Sequence, residues 1–372
     1  LFRHHTMPFG AAASVWQFNR IIDSLMFLSR NLLFLALIHY VDDLGLIAAV
    51  LDAQGSHRAF SRLCNLLEIQ LKPSKEQLPH HTQKIQGVII AISGDGVTVR
   101  PDPDRVHRLI TEIGSILREK HLEPEVASRL AGKLSFVATT MFGQLGRGPL
   151  GPLYKRAHQL RDTSVTPAIH QALHTLVRIL QLSTPRFCPF PSNKPYISTV
   201  YADAFFRAGD EAKAGRRRQT SDLHNGWGFI CRSEHGVTYA HGRAPDTLVR
   251  RFCRSKAYIY FLELLAQVLA LVVNRQFLSC FIIAFCDNSA GQSALTKGFS
   301  TSGDDQAVNN LLAMCWAFLA KMGWNVHFEW IPSEQNMSDP VSREDLSVAE
   351  KSRWRPLSTG LHEVYRVLER VA

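Results

Sequence analysis

Residues 280–295 read CFIIAFCDNSAGQSAL. The apolar run from Cys280 to Cys286 has the pattern of a strand buried on both faces, and it stops at Asp287. A carboxylate at the C-terminal end of a buried strand lies where open α/β sheets place ligands. Pattern alone leaves Asp287 two roles, N-cap of the helix that begins at NSAGQSAL or member of a polar site. Ahead of this stretch, YISTVYADAFF, GWGFICRS and GVTYAHGRA read as three successive strands, and KAYIYFLELLAQVLALVVNRQ as a long buried helix. Behind it, DQAVNNLLAMCWAFLAKMG reads as another helix and NVHFEWIP as a last strand. Three strands, helix, strand, helix, strand predict a mixed α/β (α+β) domain, not a helical bundle.

Three more acids hold comparable places. Asp203 ends an apolar strand, Glu263 lies inside an otherwise apolar helix, and Asp339 follows the last strand after PSEQNMSD. Burying Glu263 without a partner costs several kcal/mol. Taken singly, Glu263 can pair with Lys256 or Arg275, and Asp339 can be a loop residue. Four acids at one sheet edge would repel one another and raise their own pKa values unless divalent cations neutralise them. Hard oxygen ligands of this kind select Mg²⁺ or Mn²⁺.

With 372 residues the chain has room for two or three domains, and 46% apolar and 20% charged residues are the proportions of a folded chain. A net charge of +10 points to a polyanionic partner, most simply nucleic acid. The cysteines, at 64, 188, 231, 253, 280, 286 and 315, form no CxxC pair and no zinc-finger spacing. This argues against structural zinc and a disulfide framework, and for an intracellular compartment, cytoplasm or nucleus. No apolar run reaches the ~18 residues a membrane span needs, so no membrane partner is expected.

The segments VYADAF, GWGFI, YFLELLAQVLAL, AFCDNSAGQSAL and WIPSEQNMSDPVSR, spanning residues 196–343, resemble a type 1 ribonuclease H domain of the kind fused to reverse transcriptases. The wording LELLA, DNSA and IPSEQNMSDPVSR is closest to retroelements of the DIRS-like, tyrosine-recombinase group. The resemblance implies that Asp203, Glu263, Asp287 and Asp339 are catalytic metal ligands. Asp203 would bridge two Mg²⁺ ions, Asp339 would help hold the ion that activates water, and Glu263 and Asp287 the ion at the departing 3′ oxygen. Two departures stand out. A basic insert, Arg207 to Asn225, separates the first acid from GWG and reads as a mobile loop. Glu334 occupies the loop where retroviral relatives place a histidine.

IHYVDDLGLIAAV, residues 38–50, pairs two apolar runs around Asp42 and Asp43 and reads as an antiparallel hairpin whose first arm is a buried strand. YVDD resembles the reverse-transcriptase palm motif, which implies that Asp42 and Asp43 bind metal. MPFGAAASVWQFNRII resembles the PFG motif and its helix, placing Pro8, Phe9 and Gly10 under the incoming nucleotide and template. SHRAFSRLCNLLEIQLKPSKEQ begins as an amphipathic helix that runs toward Pro73, and KIQGVIIAISGDGVTVRPDPDR reads as one hairpin. VASRLAGKLSFVATTMFGQLGRGPLGPLYKR resembles the thumb and connection. Its Arg129, Lys133, Arg147, Lys155 and Arg156, with Arg161, would follow a nucleic-acid backbone, and the alternative is an ordinary solvated face.

The palm of that family needs another aspartate on a strand before PFG, and neither Asp23 nor Asp52 fits its place. The polymerase is therefore expected to be incomplete, with an upstream segment or partner chain supplying the strand. The expected divisions are a partial palm (1–103), helical thumb and connection (104–195), RNase H-like domain (196–345) and C-terminal linker and helix (346–372). The expected partners are RNA–DNA hybrid and template–primer nucleic acid. The alternative function is a non-catalytic hybrid-binding protein derived from a decayed retroelement.

Overall fold

The computed structural model describes residues 12–159, 162–190, 196–208, 223–245, 258–300, 306–358, 364 and 366. Pro8, Phe9, Gly10, Arg161 and most of the basic insert lie outside them. The chain divides into two compact units, 1–102 and 103–372. Among the described residues no helix is long and apolar enough to cross a membrane.

In the first unit, α1 (Ala12–Leu32) packs on the hairpin β1 (Ala36–Tyr40) and β2 (Asp43–Ile47), followed by α2 (Ala53–Leu66). Its small core joins Ile22, Leu25 and Met26 of α1 to Leu35, Leu37, Phe60 and Cys64. The expected buried strand is only half right. β1 pairs with β2 alone and rests one face on the helix, so Leu37 is buried while Ile38 and Tyr40 are 50% and 70% exposed. The helix expected to reach Pro73 stops at Leu66, because Glu68 turns left-handed at φ 54°. β3 (Thr82–Ile85), β4 (Val88–Ile92) and β5 (Gly96–Pro101) pair antiparallel in succession. Two hairpins thus replace the one expected. The extra turn is Gln86–Gly87, both with positive φ, the combination that matches the twist of a two-residue hairpin.

The second unit begins with four amphipathic helices, α3 (Pro103–Glu119), α4 (Pro124–Thr139), α5 (Gly151–Ala157) and α6 (Pro167–Leu182). Proline at the first turn suits α4 and α6, since the missing N–H would have no helical partner there. After β6 (Arg186–Pro189) come β7 (Ile197–Ala208), β8 (Leu223–Ser233), β9 (Gly236–Gly242), α7 (Tyr258–Val273), β10 (Phe281–Cys286), α8 (Ser289–Lys297), α9 (Gln306–Met322), β11 (Asn325–Trp330), α10 (Asp339–Ser342), α11 (Ser347–Lys351) and β12 (Arg355–Pro356).

The sheet order is β11-β10-β7-β8-β9-β12. β7, β10 and β11 run parallel, and β8 and β9 form an antiparallel meander beside β7. This is the mixed α/β architecture that the element order predicts. α7 is apolar nearly all round and correspondingly buried, which makes it the centre of the core. Described residues on both sides of the expected division at 195–196 share one core. One continuous apolar cluster runs from Val106 to Val364, and Gly143 and Gly148 let the 141–150 segment press on α9, where a Cβ would meet Trp316 and the Asn309 carbonyl.

Candidate metal centre

Strand register brings the first two acids together. The last paired residues of β7 and β10 are Tyr201 and Phe285, and Asp203 and Asp287 each lie two residues beyond on adjacent parallel strands. Side chains at i and i+2 share a face, so the two carboxylates stand side by side. α7 lies across β7 and delivers Glu263. One carboxylate oxygen from each of Asp203, Glu263 and Asp287 lies within 4.8 Å of the others. Asp287 is free for this role because Asn288 caps α8 instead, its Oδ1 accepting from Gly291 N–H at 3.0 Å.

Asp203 is 4% exposed, and burial, followed by the charges of Asp287 and Asp339, lifts its pKa to about 7 against the pull of a Ser342 hydrogen bond. Burial, then Asp287, lifts Glu263 to about 8, and its Oε2 is enclosed with no partner. Three converging carboxylate oxygens, with an orphaned oxygen on Glu263, fit a hard divalent cation.

Asp339 is held differently. It opens α10, and its Oδ1 accepts from Arg343 Nη2 at 2.6 Å and Nε at 3.2 Å. It is close enough to act on the charge of Asp203 but stands outside the group of three.

Several positioning residues carry no signal of charge or motif spacing. Ser342 Oγ donates to Asp203 Oδ2 at 2.6 Å. Asn336, 3% exposed, reaches the Ala202 carbonyl with Nδ2 and accepts from Ser338 with Oδ1, tying the loop before Asp339 to β7. The GWG glycines explain themselves here. Gly228 faces Asp203 across the strand pair, and a Cβ on Gly228 or Gly226 would strike the Ser342 backbone at 2.4–2.5 Å. Glycine therefore admits α10 to the sheet.

The expected backbone-following cations scatter in role. Arg129 and Lys133 flank Glu112, at 3.8 Å and 2.8 Å, and Lys155 is exposed. Arg156 is a correction. It is fully buried, pairs with Asp162 at 2.9 Å and donates to the Asp162 and Ser164 carbonyls. A guanidinium committed to closing its own loop has no face left for a phosphate. Arg147 is half-buried. In the first unit Asp42 sits in the hairpin turn, exposed and 4.0 Å from Lys75, and Asp43 pairs with Tyr40 at the start of β2. Val41, at φ 53°, takes a turn position normally given to glycine.

No family model matches the chain, and no curated protein matches it. Among solved structures, the N-terminal RNase H domain of a Mycobacterium tuberculosis protein, fused to maltose-binding protein, is 14% identical with a TM-score of 0.28, covering 42% of this chain and 99% of that one. RNase H1 from Halobacterium salinarum is 16% identical with a TM-score of 0.27, covering 41% and 98%. A foamy viral protease–reverse transcriptase in complex with RNA/DNA hybrid is 10% identical with a TM-score of 0.34, covering 91% of this chain and 62% of that one. These scores are low, and the weight falls on the geometry of the carboxylates themselves.

Proposed function

We propose that the second unit hydrolyses the RNA strand of RNA–DNA hybrids with Mg²⁺ or Mn²⁺. The observation that carries this reading is the convergence of Asp203, Glu263 and Asp287 within 4.8 Å just past the point where β7 and β10 cease to pair, with the Glu263 Oε2 orphaned. Asp203, Glu263 and Asp287 would hold the cation, which when bound would lower the pKa of water and stabilise charge on a phosphodiester. Ser342 orients Asp203 through its hydroxyl, and Asn336 anchors the loop that presents Asp339. Asp339, whose Oδ1 is taken by Arg343, would offer its Oδ2 as a fourth ligand. The exposed cations Arg129, Lys133 and Lys155 follow the hybrid backbone, and the 2′-hydroxyl and duplex form distinguish RNA from DNA. The first unit is a palm-like element of a retroelement reverse transcriptase, with Asp42 and Asp43 as metal ligands that need a further carboxylate from an upstream segment or partner chain.

The test is cleavage of a hybrid labelled in its RNA strand, with duplex DNA as control. Metal-dependent loss of the RNA strand alone is the expected result. Purified protein that binds hybrids in Mg²⁺ and Mn²⁺ yet never cuts them would sink the catalytic reading.

A further inference from the structure

Pairing between β7 and β10 ends at Tyr201 and Phe285, and beyond that point the two strands no longer share a register. Gln267 reaches into this opening. It is fully buried, on an otherwise apolar helix, one turn after Glu263 and therefore on the same helix face. Its Nε2 donates to the Phe285 carbonyl at 2.5 Å and reaches the Ala202 carbonyl at 3.4 Å. Two carbonyl acceptors fix the orientation of the amide, because only the NH₂ end can face them. The Oε1 end is then left enclosed with no partner. An unsatisfied buried oxygen destabilises the fold, and an apolar side chain of equal length would avoid that cost. An apolar side chain would in turn leave the Phe285 carbonyl without this donor, so the orphaned oxygen is accepted in exchange for a tie between β7 and β10.

The two carbonyls sit one residue before Asp203 and two before Asp287. The Ala202 carbonyl also receives Asn336, which anchors the loop leading to Asp339. We propose that Gln267 is a positioning residue whose amide clips β7 to the end of β10, where their pairing stops, and so sets the separation of Asp203 and Asp287 around a divalent cation. This rests on the metal-centre reading above. A single helix then supplies the third carboxylate and fixes the spacing of the other two. The coupling follows from rigidity, since ligands held on regular elements keep their distances when the cation arrives.

The test uses the full chain. Mn²⁺ binding is followed by loss of the free-ion electron paramagnetic resonance signal, and thermal melts are run in EDTA. Gln267→Met keeps the length and deletes the orphaned oxygen but leaves the Phe285 carbonyl without this donor, so its metal-free melt should fall by a few degrees while the fold persists. Its Mn²⁺ affinity should fall at least ten-fold, and kcat for hybrid cleavage should fall with KM unchanged. Equal Mn²⁺ affinity in parent and variant would make Gln267 a strand clip and nothing more, overturning the proposal. A parent that binds no Mn²⁺ would overturn the metal centre itself, a distinct result. Should Gln267→Met fail to fold, the side-chain amide resonance of Gln267 in the parent decides the matter. It should shift on adding Mg²⁺, and an unmoved resonance in protein that binds the ion overturns the proposal.

Discussion

Two acidic constellations stand in this chain, and they differ in how each meets solvent. Asp42 and Asp43 lie on an open hairpin, one exposed and one partly covered, where water and Lys75 can offset their charge. An exposed pair at 4.0 Å contributes little to stability. Asp203, Glu263 and Asp287 meet where the pairing of β7 and β10 stops and a buried helix crosses, with one another as near neighbours. There burial, and after it the charge of Asp287, raises the proton affinity of Asp203 and of Glu263. Adjacency in sequence makes no metal centre; convergence from separate elements in a desolvated place does. The first constellation can shed its charge into solvent, and the second gathers charge where solvent is largely excluded.

The contrast can be broken most sharply by Asp287→Asn, which keeps shape and removes one ligand charge. Hybrid cleavage should fall by orders of magnitude with an unchanged circular dichroism spectrum, and retention of activity within ten-fold would show that the cluster is not the site. Next is the pH dependence of the metal-free fold. The folded state holds protons on Asp203 up to about 7 and on Glu263 up to about 8, whereas the unfolded chain releases them near 3.8 and 4.5. The unfolded state thus binds fewer protons across that window, and stability must fall as pH rises from about 4 to about 8. Melts in EDTA should show that decline, and millimolar Mg²⁺ or Mn²⁺ should reverse most of it at pH 8. A flat profile would remove the electrostatic distinction between the two constellations.

Arg156→Ala should lower stability by roughly 2–4 kcal/mol through a cavity and orphaned carbonyls, yet leave the salt dependence of hybrid binding unchanged. Lys155→Ala should do the reverse, flattening the slope of log K against log salt by about one unit with little effect on the melt. The smallest effect belongs to the first unit. Asp42→Asn should leave hybrid cleavage within a few-fold of the parent, and residues 1–372 alone should not extend a primer on an RNA template. Extension that vanishes in Asp42→Asn would show that the hairpin already has its missing partner.

Much of the second unit could be read in advance because its periodicities are strong. An apolar sixteen-residue helix with one glutamate, and a run of seven apolar residues closed by an aspartate, admit few arrangements. The first unit was harder. Its helix α2 ends at a left-handed Glu68, a residue type with no tendency to stop a helix, and the Gln86–Gly87 turn hides within an apolar run. β1 looks fit for burial because its residues are apolar, but composition does not say how many strands will flank it.

The sequence by itself determined the element order of the sheet and its α/β class, and it marked the acids that stand out against apolar runs, because local periodicity and apolar runs act over a few residues. Only the tertiary structure decided which acids meet. The β7–β10 register sets Asp203 beside Asp287, while Arg343 draws Asp339 aside. It also turned Arg156 from a surface cation into a buried clasp and gave Gln267 its place between two strands. Burial and long-range hydrogen bonding join residues far apart in the chain, and no local pattern encodes such a distance.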